Sequence, residues 1–196
     1  MFNADDIQDS VRRKYADVSQ SAEGKFNYPT GKDGAVALGY DLSAVEDMAD
    51  AILESFCGVG NPFVLGPFRA GDRVLDVGCG AGFDLITAWR LVGRSGQVSG
   101  IDLTPGMVAK AMRNVELAGL TNYEIRVATA EFIPYDDGAF DVIISNGVLN
   151  LSPDKEKSFK EIYRVLKPGG RLQFADIVRK TDLPGNVANS LEAWSD

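Results

Sequence analysis

Three glycines at alternate positions, Gly78-x-Gly80-x-Gly82, follow directly on the apolar run Val74-Leu75-Asp76-Val77. Glycines packed this densely between a strand and a helix let backbone amides approach a ligand where a Cβ would clash. The spacing departs from the dinucleotide fingerprint, because Phe83 stands where that pattern wants a third glycine or alanine. Asp76, two residues before the first glycine, suits a ligand carrying an ammonium and a sulfonium better than one carrying a pyrophosphate. Asp102 closes a second apolar run, Val98-Ser99-Gly100-Ile101, about 20 to 26 residues past the loop, where an acid can accept both ribose hydroxyls of an adenosine. A helix-capping role is the plainer alternative for Asp102, but Thr104 already stands in the cap position before Pro105.

The chain contains no histidine. That removes the commonest general base, the commonest zinc ligand and every Ser/His or Cys/His nucleophile pair. Its two cysteines, Cys57 and Cys79, are too few for a disulfide framework or a cysteine-only zinc site, so no metal centre is expected and a reducing cytoplasm is the simplest location. Cys57 reads as a small buried residue rather than a nucleophile. Tyr15 and Tyr28 could stack on an adenosine or screen a sulfonium, or simply pin an N-terminal segment in place. A net charge of -8 over 196 residues repels a phosphate backbone and an anionic membrane surface, which argues against nucleic-acid and membrane partners. Residues 1–6 lack the basic stretch followed by an apolar run that marks a secretory signal, and no apolar run approaches the roughly 18 residues a membrane-spanning helix needs.

The elements that must position these residues alternate. Short β-like runs fall at 73–77, 97–101, 123–127, 140–145 and 171–177, and helical periodicity falls between them at 83–92, 105–118 and 153–166. Thr104-Pro105 and Ser152-Pro153 each set a cap residue before proline at the first helical position, and Gly169-Gly170 closes the last helix. Strand–helix alternation predicts right-handed βαβ units and a mostly parallel sheet covered on both faces, an α/β three-layer Rossmann-like sandwich. Upstream, residues 5–17 form a short helix with Ile7, Val11, Tyr15 and Val18 on one face, leading into a polar segment through Gly34. Ser43 and Glu46 have capping-box spacing and open a helix that runs to Phe56.

At this point the sequence resembles the class I methyltransferases over nearly its whole length. The resemblance rests on residues 74–82, on Gly100-Ile101-Asp102, on Phe140-Asp141-Val142-Ile143-Ile144-Ser145-Asn146 and on Arg164-Val165-Leu166-Lys167-Pro168-Gly169-Gly170. It implies S-adenosylmethionine as cofactor, a small-molecule methyl acceptor, and a set of cofactor contacts at the matching positions. Those are Asp76, Gly78, Cys79, Gly80 and Gly82 for the methionine part, Asp102 with Leu103 for the ribose, and Thr129, Ala130 and Glu131 for the adenine. Asn146 would face the methyl donor, and Tyr15 would fold over the cofactor. No catalytic residue is assigned, since transfer from a sulfonium needs a dedicated base only if the acceptor must lose a proton.

Within that class the chain is similar to arsenite methyltransferases through Gly60-Asn61-Pro62, Ala81-Gly82-Phe83-Asp84 and residues 144–155. Those enzymes bind trivalent arsenic with cysteine thiolates, a soft-donor choice. Here Gly147 and Val59 occupy two of the cysteine positions, so a three-thiolate site is not expected. The resemblance also implies two strands after the fifth, yet only 19 residues follow Ile177. The C-terminal hairpin is therefore expected to be missing, with residues 1–42 a lid or cap, 43–180 the cofactor-binding core and 181–196 a truncated helical tail. An uncovered fifth-strand edge would call for a homo- or hetero-oligomer or mark the chain as a fragment. A cofactor-binding but inactive subunit is the alternative to an active methyltransferase. A nicotinamide oxidoreductase is disfavoured by Phe83 and the Lys167-Pro168-Gly169-Gly170 turn.

Overall fold

A computed structural model of the chain describes residues 3–22, 24–41 and 48–178. Five strands, β1 (Arg73–Val77), β2 (Gln97–Asp102), β3 (Tyr123–Val127), β4 (Phe140–Asn146) and β5 (Leu166–Ala175), form one sheet in the order β3-β2-β1-β4-β5. Every pairing is parallel. The central β1 is buried along Val74, Leu75, Asp76 and Val77, as expected of a strand covered on both faces. The order reverses beside β1, which opens a crevice at the carboxyl ends of β1 and β4, the general location of ligands in open α/β sheets.

Helices α1 (Ala4–Gln20), α2 (Gly31–Ala37), α3 (Asp50–Leu53), α4 (Phe83–Val92), α5 (Pro105–Leu117) and α6 (Lys155–Val165) complete the described fold. Side chains alternate across the sheet, so Val74, Val98, Val142 and Ile144 face one core with α4, Val115 of α5 and Ile52, Leu53 and Phe56. Leu75, Val77, Ile101 and Ile143 face the other, with Ile162 and Val165 of α6 and Ile133. The sandwich is thus three-layered, as the alternation of elements predicted. Helix α1 begins in a capping box between Asn3 and Asp6 and lays Val18 and Tyr15 against Ala81 of the glycine loop and Met107 of α5.

Several local expectations are corrected. Helix α1 is longer than the 5–17 pattern and extends to Gln20. The segment read as polar and irregular through Gly34 contains α2, whose composition, Gly-Lys-Asp-Gly-Ala-Val-Ala, carries no helical periodicity. Of the helix expected up to Phe56, the described residues show one turn, α3, and the Ser43–Glu46 cap lies outside them. Helix α6 starts at Lys155 with Asp154 as its cap, because the Asp154 carboxylate accepts from Lys157 N while Ser152 Oγ turns inward to Glu131. Strand β5 starts at Leu166, directly after α6, and absorbs the Gly169-Gly170 pair in a bulge between the Phe140–Leu166 and Val142–Arg171 pairings.

Among the described residues β5 pairs only with β4, and the apolar Phe174, Ile177 and Val178 at its end are exposed. No described helix is long and apolar enough to cross a membrane.

Candidate cofactor site

The glycine loop sits at the carboxyl end of β1, where Gly78 N and Cys79 N both donate to Ile101 O at 2.8 and 2.9 Å. These bonds pull the loop against β2 and force Gly78 to φ +76° and Gly80 to φ +50°, which only glycine adopts without strain. A Cβ on Gly78 would lie 2.2 Å from Val148 Cγ2, whereas one on Gly80 would meet nothing within 4 Å. Gly80 therefore opens onto free space, a cradle beside which ligand atoms can approach the backbone. Gly82 does something else: it caps α4 at φ +88°, its Cβ position 3.3 Å from Ala111 of α5, and it lines neither cavity described below. Cys79 is buried, with its thiol packed against Gly100 of β2.

A cleft with about 780 Å³ of empty space, partly open to solvent, runs across the carboxyl ends of the strands. It brings together Tyr15, Gly78, Gly80, Asp102, Leu103, Thr129, Ala130, Glu131 and Asn146, nine of the residues singled out from sequence. Asp102 accepts from Gly80 N at 3.0 Å and from Thr104 N at 2.8 Å, tying the glycine loop to the start of α5. Thr104 itself makes no side-chain cap bond, so Asp102 supplies a turn contact as well as a cleft-facing acid. These bonds leave acceptor capacity on the carboxylate for a ligand. Glu131 accepts from Ser152 Oγ at 2.5 Å, and Ser152 pairs with Ser158 Oγ at 2.9 Å.

The other end of the cleft is organised around Asn146. Its Oδ1 accepts from Val59 N and Gly60 N at 2.8 and 3.1 Å, and its Nδ2 lies 3.0 Å from Asp84 Oδ2 and 2.9 Å from Gly60 O. The amide thus carries the backbone of residues 58–60 across the strand end and joins a network that includes Tyr40, whose hydroxyl donates to Asp84 Oδ1 at 2.8 Å. A smaller cavity of about 350 Å³ adjoins this network, lined by Asp76, Asp84, Cys57, Cys79 and Phe83 and sharing Gly78, Gly80 and Asn146 with the cleft. Asp76 is 2% exposed, and its Oδ2 has no hydrogen-bond partner among the described residues.

Burial, then Asp84 and Asp102, pushes the Asp76 carboxyl well above the usual range. Burial likewise raises Asp84 against the opposing bonds from Asn146 and Tyr40, and raises Asp102 against the N–H bonds of Thr104 and Gly80. The Cys57 thiol is pushed up to about 12 by burial and by Asp102 and Asp84, and the phenols of Tyr15, Tyr28 and Tyr40 are all raised, first by burial. The thiol and the phenols stay protonated near neutral pH, and among the described residues no lysine or arginine lines either cavity. A site of four carboxyls without a cation suits a ligand that brings its own positive charge.

Sequence reading missed Gln8 and Val11 of α1, Cys57, Val148 and Ser152 in the cleft, and Asp84 beside Asp76. Asp84 carried one signal: it is the lone acid in the apolar run Phe83-Asp84-Leu85-Ile86, on a helix face that the core claims. The structure also sets Val59 against Gly147, with a Cβ on Gly147 falling 3.2 Å from Val59 Cγ1.

Sheet order, glycine loop and cleft acids together define a Rossmann-like methyltransferase fold. The family described as a methyltransferase domain matches residues 68–196, and the chain belongs to it; the cofactor of this class is S-adenosylmethionine. The chain is 36% identical to an arsenite methyltransferase of Halobacterium salinarum over 197 aligned positions, covering 93% of this chain and 50% of the relative. A ubiquinone/menaquinone biosynthesis C-methyltransferase of Cronobacter sakazakii is 41% identical over 125 residues, 61% of this chain and 48% of its own length. The crystal structure of an arsenic(III) S-adenosylmethionine methyltransferase from Chlamydomonas reinhardtii superposes with a TM-score of 0.66 at 37% identity, over 74% of this chain and 51% of that one. The chain spans about half the length of these relatives.

Proposed function

We propose that this chain binds S-adenosylmethionine in the cleft and transfers its methyl group to a small-molecule acceptor. The observation that carries this reading is the pairing of an open Gly80 cradle with an unpartnered, buried Asp76 Oδ2 in a site that contains carboxyls and no cation. The methionine end would lie over Gly78 and Gly80 toward Asp76, the ribose on the free acceptor positions of Asp102 and beside Leu103, and the adenine near Thr129, Ala130 and Glu131. Bound there, the cofactor supplies an activated methyl on a sulfonium. The chain's own residues orient and shield. Gln8, Val11 and Tyr15 of α1 wall the cleft from outside, and Asn146 holds residues 58–60 at the acceptor side. Alignment and exclusion of water are the main protein contributions to such a displacement.

The relatives named above act, by their names, on arsenite and in ubiquinone/menaquinone biosynthesis. For this chain we favour an acceptor held without thiolates. The two positions where the resemblance places cysteines are Val59 and Gly147, which lie side by side, and of the chain's two cysteines only Cys57 reaches the main cleft.

The reading is tested by thermal shift with S-adenosylhomocysteine and NAD. At about 100 times its dissociation constant a ligand of the folded state stabilises by about 2.7 kcal/mol, so the adenosyl ligand should raise the transition by several degrees and NAD should not. A shift with NAD alone, or with neither ligand, sinks the proposal.

A further inference from the structure

Tyr40 lines neither cavity, yet its ring and its hydroxyl meet the elements that shape their shared end. The residue is buried, and its ring packs edge-on against Phe56, Phe63 and Phe83 at centroid distances of 5.1, 5.9 and 5.5 Å. Phe56 and Phe63 flank residues 57–62, and Phe83 opens α4 beside Asp84. This aromatic cage fixes the ring, and the hydroxyl ends among Asp84, Asn146 and Gly60.

Donors and acceptors there can be counted. Asn146 Nδ2 has two hydrogens and three oxygens in reach: Gly60 O at 2.9 Å, Asp84 Oδ2 at 3.0 Å and Tyr40 Oη at 3.1 Å. Tyr40 has one hydrogen, with Asp84 Oδ1 at 2.8 Å and Gly60 O at 3.2 Å. The shorter contact takes it, so the phenol donates to Asp84 and keeps its oxygen free to accept from Asn146. All three oxygens facing Nδ2 are then acceptors, which disfavours the flipped amide and turns Asn146 Oδ1 toward Val59 N and Gly60 N. Burial pushes the Asp84 carboxyl up to about 6 against the bonds from Asn146 and Tyr40, so it accepts at neutral pH. Gly58 passes so close to this amide that a Cβ there would lie 2.2 Å from Asn146 Nδ2.

We propose that Tyr40 is a positioning residue for methyl transfer: its hydroxyl holds Asp84 as an acceptor, Asp84 orients Asn146, and Asn146 seats residues 57–60 at the methyl-donor end of the cleft. The inference rests on the cofactor reading above. Cys57 and Asn146 line both cavities, so loosening this segment changes the wall at that end. Gly80 and Asp102, at the nucleoside end, keep their own bond. The hydroxyl therefore acts on the methyl-bearing end of the cofactor and not on its adenosine.

Tyr40→Phe deletes the hydroxyl and keeps the ring in its cage. Hydrogen exchange at single-amide resolution on the full chain reads the segment. Calorimetric titration with S-adenosylmethionine and S-adenosylhomocysteine, which differ by the sulfur-bound methyl and its charge, reads the donor end. Without ligand, the Val59 and Gly60 amides of the unaltered chain should exchange at least about a hundredfold more slowly than unstructured amides. In Tyr40→Phe they should exchange at least about tenfold faster, a larger gain than that of the amides in β1 and β4. S-adenosylhomocysteine affinity should stay within about twofold, while S-adenosylmethionine weakens by at least about threefold more. Unchanged exchange at Val59 and Gly60 overturns the proposal, and so does equal acceleration in β1 and β4, which marks a merely structural role. An unchanged ratio of the two affinities removes Tyr40 from the donor end and leaves the cofactor reading standing. No binding of either ligand to the unaltered chain overturns both readings. Should Tyr40→Phe fail to fold, the unaltered chain decides, since unprotected Val59 and Gly60 amides overturn a seated segment.

Discussion

At the β2–β3 end of the cleft, Asp102 meets partners close to it in the fold of one βαβ unit: Gly80 N of the preceding loop and Thr104 N two residues on. At the β1–β4 end, Asn146 reaches Val59 and Gly60, 87 and 86 residues earlier in sequence, and Tyr40, 106 residues earlier. The first end is built by the strand-and-loop grammar of the sheet itself. The second is assembled from the N-terminal third of the chain, laid across the strand ends and fastened by one amide. A nucleoside can therefore be recognised by a contiguous unit, while the reacting end depends on contacts that the sheet alone does not create.

Breaking the fastening should have the largest effect. Asn146→Ala strands Val59 N, Gly60 N and Asp84 Oδ2, and at about 1–3 kcal/mol for each group left unpaired we expect a loss of about 3 kcal/mol or more in chemical denaturation. A loss under about 1 kcal/mol would show that the two ends are equally self-sufficient. Asp102→Ala should act mainly on the ligand, weakening S-adenosylhomocysteine by at least about tenfold with a smaller change in stability, because a charge-assisted ribose pair is removed. Unchanged affinity would remove Asp102 from the ribose role and leave it a turn contact. Tyr15→Phe should shift the same affinity by no more than about twofold, because the ring, packed 6.4 Å from Phe26, is what α1 contributes to the wall. A larger loss would assign a role to the hydroxyl.

The same contrast explains what the sequence disclosed. Strands β1 and β3 and helix α4 have the bounds that their residue patterns predict, because apolar runs there are punctuated by glycine, proline and capping residues. Asp102, Leu103 and residues 129–131 fall in one cleft for the same reason: each lies at or just past the end of a strand. Long-range pairs left no such trace. Asn146 was legible as a residue at a strand end, but its bonds to Val59, Gly60 and Asp84 were not, since nothing local specifies partners so distant. Asp84 was hidden in the buried first turns of a helix, among Phe83, Leu85 and Ile86. Where two local signals competed, the stronger acceptor won: Asp154 caps α6, and Ser152 is drawn into the Glu131–Ser158 cluster.

The parallel order β3-β2-β1-β4-β5 also has a consequence for how the molecule comes into being. Val77 and Ser145, joined by a hydrogen bond at the crevice, lie 68 residues apart, so one side of the central strand waits unpaired until β4 has been made. Synthesis completes β1, β2 and β3 first, with Asp102 and the glycine loop already in place, while an apolar strand edge stays open to solvent and to other chains. By loop-closure entropy, so long-range a pairing is expected to form late. The arrival of residues 140–146 then closes the open side of β1 and supplies Asn146 in the same stroke, so the reacting end of the cleft is expected to form after the nucleoside end.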